Sequence, residues 1–596
     1  MARSSIGGLT RTSRLLVSLF AVGAVSVLAL SACTSKPTNT TPGSLADCGT
    51  DPVNCNKGAT AQGGTVTYTI EKKISGWNLN DALSNTFDFA EVLDAVLPAG
   101  PFIVQPDFQV VNNPDFVSSV EVTSTNPETV VYKIKPEAVW DDGTPIDVQD
   151  FIYAWKTQNG KDCPPPETDA DGNPVAGSTG CYQASTAGYD QVASVTGSDN
   201  GKTVTVVYST PFADWKLPFG TLYPAHIAAQ HGDINTAAGL ASAWKWFNDN
   251  VPTYSGGPYK ISDFVKDTSV TLVPNDKWYG AVKPSLDKLI FRIITDQTAE
   301  VPALQNGEVN AIYPQPNQDI VDSVKNLPNV SYTLGQGLTW EHFDLNGKNP
   351  MLKDAALRKA IFTAIDRQEI IDKTVGLFVP GLKPLNSHNF VPGQAGYKDT
   401  ITPTGQGAGN VDAAKQILTQ AGYQGVGTAL KTPSGQDVKL RFRYTEGNTL
   451  REQSGELLQA QLAKLGIQLT LEPLTDLGGT LVSGDFDIII FAWVGNPFPY
   501  AGGIQLWKSD SGSNYSHFAD AQSDQLLQQA ATNPDNNAGN DLLNQSDAIL
   551  SAAAYVLPLF QKPTFLAADT NIANLRNNST SVGPPYNVQE WGLRAS

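Results

Sequence analysis

The sequence is poor in the residues that most nucleic-acid, metal and catalytic sites require. Lysine and arginine total 40 against 58 aspartate and glutamate residues, and the net charge is −18 at pH 7. Clustered positive charge is what holds nucleic acid, so that class of partner is excluded. The five histidines are scattered, and no C-x-x-C, H-E-x-x-H or G-x-S-x-G motif occurs. We therefore expect no metal site, no cofactor and no enzyme activity.

Long apolar runs are also scarce, and the pronounced one lies near the beginning of the chain. Residues 15–30 are largely apolar and follow Arg3, Arg11 and Arg14. A basic start and a short apolar core are typical of an export signal, whereas a membrane span needs roughly 20 residues. The Leu-Ser-Ala-Cys sequence that ends at Cys33 resembles the lipobox of bacterial lipoproteins. This resemblance implies cleavage before Cys33 and a lipid anchor at the outer face of the cell membrane; an uncleaved anchor helix and an ordinary signal peptide are the alternatives.

Cysteine is rare, and after Cys33 it occurs as two close pairs. Cys48 is near Cys55, and Cys163 is near Cys181. An exported chain permits disulfides, and four cysteines allow three connectivities. We expect the two local pairings because they are the simplest. A zinc site is the alternative, which the absence of neighbouring histidine disfavours.

The chain after the export signal is too long for a single core, so two or three domains are expected. Residues 34–62 are rich in Thr, Pro, Ser, Gly and Asn and predict a flexible tether. From Gly64 onward, strand patterns and amphipathic helix patterns follow one another. In the second half, helices at 411–421 and 451–465 precede a strand that begins at residue 467. This order of elements predicts an α/β protein.

A series of short motifs, each weak alone, occurs in a distinctive order. They are Trp140-Asp141-Asp142-Gly143-Thr144-Pro145, Gly256-Gly257-Pro258-Tyr259, Leu304-Gln305-Asn306-Gly307, Leu357-Arg358-Lys359-Ala360, Ala421-Gly422-Tyr423 and Gly484-Asp485-Phe486-Asp487. In this order they resemble the peptide-binding family of ABC-transporter solute-binding lipoproteins. This family contains the oligopeptide and dipeptide receptors and is family 5 of the bacterial extracellular solute-binding proteins. The resemblance covers nearly all of residues 64–590.

The resemblance implies a two-lobed clamp with a hinge, of the large type with an extra subdomain in the first lobe. The implied parts are a signal peptide (1–32), a tether (33–62), lobe 1 (63–335, with an inserted subdomain at 92–195), lobe 2 (336–555) and a C-terminal return to lobe 1 (556–596). Crossover strands near 334–346 and 555–560 would form the hinge, and ligand binding would close the lobes. The implied partners are a peptide or other small molecule, membrane permease subunits and cytoplasmic ATPases, and the implied state is a monomer.

The expected ligand site follows an apolar strand. Residues 487–491 form a largely apolar run that is typical of a buried strand, and ligands bind outside the carboxyl ends of strands in open α/β sheets. Trp493 and Phe498 come after this run. By resemblance, Trp493 contacts the ligand; a core tryptophan is the alternative. Asn496 stands where many peptide receptors of the family have an aspartate that pairs with the peptide's α-amino group, so that negative charge is missing here.

Other candidate ligand residues lie on the hinge strand and on two other segments. Trp340 and His342 occupy alternate positions and so point the same way, which by the family's layout is towards the cleft. Asn85 is expected to face the cleft from lobe 1, and Asn514 is expected on a segment that returns near it. A structural histidine at 342 and a surface loop at 514 are the alternatives.

These observations predict a membrane-tethered receptor that captures peptides and delivers them to an ABC importer. Several alternatives stay open. The same clamp could bind an oligosaccharide, an opine or a metal chelate, and Asn496 together with the tryptophans suits a neutral sugar. Ligand capture could instead inform a signalling partner. The remaining alternative is an exported hydrolase, because carboxylate pairs are plentiful in so acidic a chain.

Overall fold

The computed structural model describes residues 43–169, 174–175, 177–495 and 497–595. The predicted signal peptide and Cys33 lie outside this range. Residues 42–596 form one compact unit. Its strands are β1 Thr65–Ile70, β2 Phe102–Val104, β3 Val110–Asn112, β4 Val117–Thr125, β5 Glu128–Ile134, β6 Val192–Ser198, β7 Thr203–Tyr208, β8 Tyr259–Val265, β9 Ser269–Pro274, β10 Lys288–Ile293, β11 Ala311–Ile312, β12 Val330–Leu345, β13 Lys439–Thr445, β14 Gln468–Leu474, β15 Ile488–Trp493, β16 Val556–Asp569, β17 Ile572–Ala573 and β18 Gly592–Leu593.

The helices of the same unit occur in both halves of the chain. They are α1 Phe87–Leu93, α2 Val148–Gln158, α3 Ala225–His231, α4 Ala237–Asp249, α5 Gln297–Gln305, α6 Gln318–Lys325, α7 Ala355–Ala364, α8 Arg367–Lys373, α9 Val411–Gln420, α10 Thr449–Ala463, α11 Leu477–Ser483, α12 Pro499–Trp507, α13 Ala521–Ala531 and α14 Asn536–Ala553. Among the described residues, none of the helices combines the length and apolar character that a membrane span requires.

Ten strands form one mixed sheet in the order β14-β13-β15-β12-β16-β11-β1-β10-β9-β8. The two strands in its middle, β12 and β16, have 16 and 14 residues and run antiparallel to one another. The strands β1 and β8 to β11 lie on one side of this pair, and β13, β14 and β15 lie on the other side. The β12–β16 pair therefore joins two halves of the molecule, at the segments where the resemblance implies the hinge.

Each half of the large sheet contains parallel strands. β1 is parallel to β10, and β13 is parallel to both β14 and β15. Parallel neighbours need a crossover connection, which α10 provides between β13 and β14. On β1, Val66, Tyr68 and Ile70 are buried, as the alternation of the sequence predicts. The predicted α/β class is confirmed.

A separate antiparallel sheet has the strand order β4-β5-β7-β6. The helix α2 follows it in the chain up to β5 and begins at Asp147, whose side chain accepts a hydrogen bond from the Gln149 backbone. Asp150 closes a capping box by accepting from the Asp147 backbone N–H at 3.0 Å. The sequence predicts this helix start. Because the sheet includes β7, it extends past residue 195, where the resemblance ends the inserted subdomain.

Two large apolar cores lie on opposite sides of the hinge strands. The first contains Tyr68, Tyr132 and Phe219 together with Trp591 from the C-terminal segment. The second contains side chains of β12, α7, β13 and α10. Since the chain returns after β16 to complete the first core, the two halves are linked by more than one crossing of the chain, as the resemblance implies.

The predicted tether is shorter than its composition indicates, because residues 43–62 pack on the folded unit. The buried Asn56 donates through Nδ2 to the Leu575 carbonyl oxygen at 2.8 Å. Arg594 donates to the Gly43 carbonyl oxygen at 2.7 Å. Hydrogen bonds to backbone groups and a local disulfide here replace the apolar residues that the segment lacks.

Both predicted disulfides are present. Cys48 is bonded to Cys55, and Cys163 is bonded to Cys181. All four cysteines are buried. The bridges close loops with sequence separations of 7 and 18, so each one stabilises a local segment that has little core of its own.

Candidate functional site

The carboxyl end of β15 carries a cluster of aromatic rings. Across the β12–β15 pairing, Trp493 lies opposite Trp340 and Phe491 lies opposite His342. The Trp493 ring is nearly parallel to the Tyr515 ring, with centroids 5.7 Å apart, and to the His342 ring at 6.0 Å. Aromatic pairs at such separations are stabilised beyond the area that they bury. The cluster therefore fixes Trp493 at the strand end where the sequence predicts the ligand.

Two of the predicted ligand residues are interior members of this cluster. His342 is fully buried, and its Nδ1 lies 2.8 Å from Oδ1 of the buried Asp344. Trp340 is 5% exposed. The structural alternative that the sequence left open for His342 describes this position, because a ligand in the cleft does not reach a ring with no exposed surface. Trp493 and Tyr515, which are half-buried, are the rings of the cluster that a ligand can reach.

A cavity of about 400 Å³ lies between the first half of the chain and the segment after Trp493. Its walls include residues of α1, the loops around residues 79–85 and 184–189, and the loop after β7. Pro497 and Phe498 close it from the other side, and the C-terminal segment contributes Ser581, Val582 and Tyr586. Two of the predicted site residues, Asn85 and Phe498, are thus brought together in one cavity. The Asn85 Nδ2 also donates to the Leu79 carbonyl oxygen at 2.6 Å.

Asn514 does not line this cavity. It is 3% exposed, and its Nδ2 donates to the carbonyl oxygens of Lys508 and Phe518 at 3.2 and 2.7 Å. These bonds hold the loop after α12 in place, so the side chain is already satisfied by its own segment. Asn496 lies outside the described residues, and its predicted effect on ligand charge stays a prediction.

Asp94 and Lys216 are charged side chains of the cavity wall that the sequence analysis did not single out. Burial raises the pKa of Asp94 to about 7 and lowers the pKa of Lys216. Their proximity depends on the tertiary fold, since α1 and the loop after β7 are far apart in the chain. One local signal was present for Asp94. It is the C-terminal cap of α1, and a carboxylate is unfavourable at the negative end of a helix dipole.

A second cavity, of about 360 Å³, lies where Glu341 of β12 meets Arg451 and Lys562. Glu341 follows Trp340 on the strand and so faces the other side of the hinge, as the alternation predicts. Its carboxylate is 3.0 Å from Arg451 Nη2 and 3.9 Å from Lys562 Nζ. Gln315, from the first half, accepts a hydrogen bond from Lys562 at 2.5 Å. This network connects the two hinge strands with both halves of the molecule.

The loop after β7 also contacts the helices that follow Trp493. The Ala213 N–H donates to the Ala531 carbonyl oxygen at 2.8 Å. The Asp214 carboxylate accepts from the Ala501 N–H, near the beginning of α12, at 2.7 Å. Burial raises the pKa of Asp214 to about 7, against the opposing effect of the backbone hydrogen bonds. By the implied lobe boundaries, these two bonds join lobe 1 to lobe 2 across the cleft.

The family model "Bacterial extracellular solute-binding proteins, family 5 Middle" matches residues 113–515. The chain belongs to this family. Over 524 residues, which are 86% of this chain and 82% of the relative, it is 30% identical to the oligopeptide-binding protein OppA of Mycobacterium tuberculosis. The recognition of the family from its ordered motifs is confirmed.

Solved structures of family 5 proteins are similar over most of the chain. The periplasmic EDTA-binding protein EppA is 37% identical with a TM-score of 0.85, covering 91% of this chain and 99% of EppA. Bacillus subtilis AppA, solved in complex with a nonapeptide, is 20% identical with a TM-score of 0.71, covering 90% of this chain and all of AppA. The two-lobed fold that the motifs implied is confirmed.

Family 5 proteins are extracytoplasmic solute-binding proteins that work with ABC importers, and the relatives named above are binding proteins. They differ in what they bind, because OppA is named for oligopeptides and EppA for EDTA. The ligand of this chain therefore has to be argued from the residues of its own cleft.

Proposed function

We propose that this protein is the lipid-anchored, extracytoplasmic binding protein of an ABC importer for oligopeptides or dipeptides. The observation that carries the proposal is the cavity of about 400 Å³ between the lobe 1 residues and Phe498. Its volume lies within the roughly 300–1,000 Å³ of ligand pockets. The relationship to OppA supports a peptide as the ligand.

The proposed mechanism is capture by closure. In the open form, the two halves separate about the β12–β16 pair and expose Trp493 and Phe498. A ligand that contacts both halves binds the closed form more tightly and shifts the population towards it. The permease then recognises the closed form, and cytoplasmic ATPases drive transport. The protein acts as a monomer, without a cofactor and without a catalytic step.

A polycarboxylate metal chelate is the second candidate ligand. It is favoured by the 37% identity to the EDTA-binding protein EppA over 91% of this chain. Competition separates the two candidates. Peptides should displace a bound peptide library while Fe(III)-EDTA at the same concentration leaves it bound; displacement by the chelate alone would favour the second candidate. An oligosaccharide, an opine, a signalling role and an exported hydrolase remain as alternatives to the same test.

Replacing Trp493 with alanine should weaken ligand binding by about 10- to 100-fold, because the ligand loses a stacking surface and the apolar area of the ring. The neighbouring Val494 is 66% exposed, so V494A is a matched control that should bind as wild type does. Isothermal titration with the displaced peptides measures both variants. Unchanged binding by a W493A protein with a cooperative melting transition would mean that the ligand lies elsewhere.

Replacing Cys33 with serine should release the protein from the membrane. Two acyl chains anchor a protein stably, and the serine variant has no thiol to receive them. Fractionation of cells into membrane and soluble parts, with wild type alongside, measures the change. Continued membrane association of C33S would show that the apolar run at residues 15–30 remains as an anchor helix.

A further inference from the structure

The cavity holds two opposite charges that have no partner of opposite sign. The Oδ2 atom of Asp94 is buried and has no hydrogen-bond partner among the described residues. Lys216 Nζ donates to the Val110 carbonyl oxygen at 3.2 Å. Within the part of the chain that the structure describes, burial is the one influence on the pKa of each group, and no neighbouring charge contributes. Both groups are therefore held at an energetic cost.

The surroundings of each group keep that cost in place. Asp94 is the C-terminal cap of α1, where the helix dipole is also negative. Lys216 lies 5.6 Å from the ring centroids of both Phe102 and Trp215, so its ammonium is positioned by aromatic faces instead of by a carboxylate. A buried polar group without a partner is costly. Such a cost is typical of functional sites, where a ligand supplies the missing partner.

We propose that Asp94 binds an ammonium group of the ligand and that Lys216 binds a carboxylate of the same ligand. The cavity then selects zwitterionic ligands, with a free amine and a free carboxylate. This inference rests on the proposed peptide-binding function of the cleft and adds the residues that read the two ends. It also gives a source for the charge that Asn496 does not supply, because the acceptor of the amine lies in lobe 1 instead of after Trp493.

The inference makes the two candidate ligands respond oppositely to one substitution. A peptide ammonium gains a charge-assisted hydrogen bond from Asp94, so Asp94→Asn removes an attraction. A polycarboxylate chelate is repelled by the same carboxyl group, so the substitution should strengthen its binding. Lys216→Met should weaken both ligands, because each carries a carboxylate.

The test uses the full-length protein in mild detergent and native mass spectrometry. The probes are a library of tripeptides to pentapeptides, the same library acetylated at the amine, and the same library amidated at the carboxylate. Wild type, Asp94→Asn and Lys216→Met are compared with Asp263→Asn, which removes an exposed carboxylate on β8. Melting temperatures are measured for all four, and Asp94→Asn should not fall below wild type because it removes an unpaired buried acid.

For wild type and D263N, acetylation should weaken binding by about 10- to 100-fold, as expected for loss of a hydrogen bond between charged groups. D94N should bind the free library about as weakly as wild type binds the acetylated one, and acetylation should cost D94N little more. K216M should behave in the same way towards amidation. If D94N binds the free library as wild type does and keeps the full effect of acetylation, the role of Asp94 is overturned while peptide binding stands. If wild type binds Fe(III)-EDTA and no library, the proposed function is overturned and this assignment with it.

Discussion

Replacing Glu341 with alanine should lower the free energy of unfolding by about 3–5 kcal/mol, because it leaves a buried arginine without its partner. The side chains of Glu341 and Arg451 are 6% and 9% exposed, and Lys562 lies beside them. Burial alone would raise the pKa of Glu341, but the charges of Arg451 and Lys562 outweigh it and hold that pKa below its ordinary value. The network lies on the hinge, so its loss affects both halves of the molecule.

Urea unfolding at pH 7 measures this loss. Glu456→Ala, an exposed position on the same helix as Arg451, is the matched control and should stay within about 0.5 kcal/mol of wild type. Since the pKa of Glu341 is lowered by folding, its contribution is complete above the unfolded pKa and is lost as pH falls through the folded pKa. The difference between E341A and wild type should therefore shrink below pH about 4. A difference under about 1 kcal/mol at pH 7 would mean that the ion pair does little for stability.

Replacing Asp214 with alanine should shift the ligand-free protein towards a more open form and weaken ligand binding about 10-fold. Phe498, the residue before α12, supplies no side-chain cap, and Asp214 accepts a hydrogen bond from Ala501 in the first turn. Without that acceptor, the closed form buries an unsatisfied donor, which costs about 1–3 kcal/mol. A ligand must then supply more free energy to close the lobes, so its apparent affinity falls.

Small-angle X-ray scattering with and without the peptide library measures the shift. Because burial raises the pKa of Asp214 to about 7 in the closed form, the acid is largely protonated there at pH 6. Asparagine is the neutral isostere of that form, so Asp214→Asn should match wild type at pH 6 while Asp214→Ala does not. The same radius of gyration and the same affinity in Asp214→Ala would exclude Asp214 as a contact that stabilises closure.

The sequence predicted the fold well because its evidence was distributed along the chain. The alternation of Val66, Tyr68 and Ile70 and the capping box at Asp147 are local, and local signals can be recognised without tertiary structure. Their order with the Trp140–Pro145 motif was specific enough to identify the family. The same local reasoning was wrong about residues 43–62, because their contacts are with Leu575 and Arg594, more than 500 positions away.

The site was predicted less completely, for a physical reason. Trp493 was located by its place after an apolar strand, and Asn85 and Phe498 do lie in one cavity. Composition could not show that His342 is fully enclosed or that Asn514 is satisfied by its own loop. The roles of all these residues towards a ligand stay predictions until binding is measured.

The charged groups of the cavity are the part that sequence reasoning missed. Asp94 caps α1 and Lys216 follows β7, and no spacing rule connects them. In an acidic chain, one aspartate at the end of a helix is not conspicuous. What distinguishes it is the lack of a partner after burial, and that property exists only in the folded protein.

The most direct test of the central claim is native mass spectrometry of the full-length protein, purified gently from its own membranes. Denaturing the purified protein releases any bound ligand for identification. A set of short peptides with free termini is the predicted result, and it would agree with the OppA relationship and with the charges of the cavity. A single metal chelate, sugar or opine in place of peptides would contradict the account of the ligand, although the two-lobed binding fold would stand.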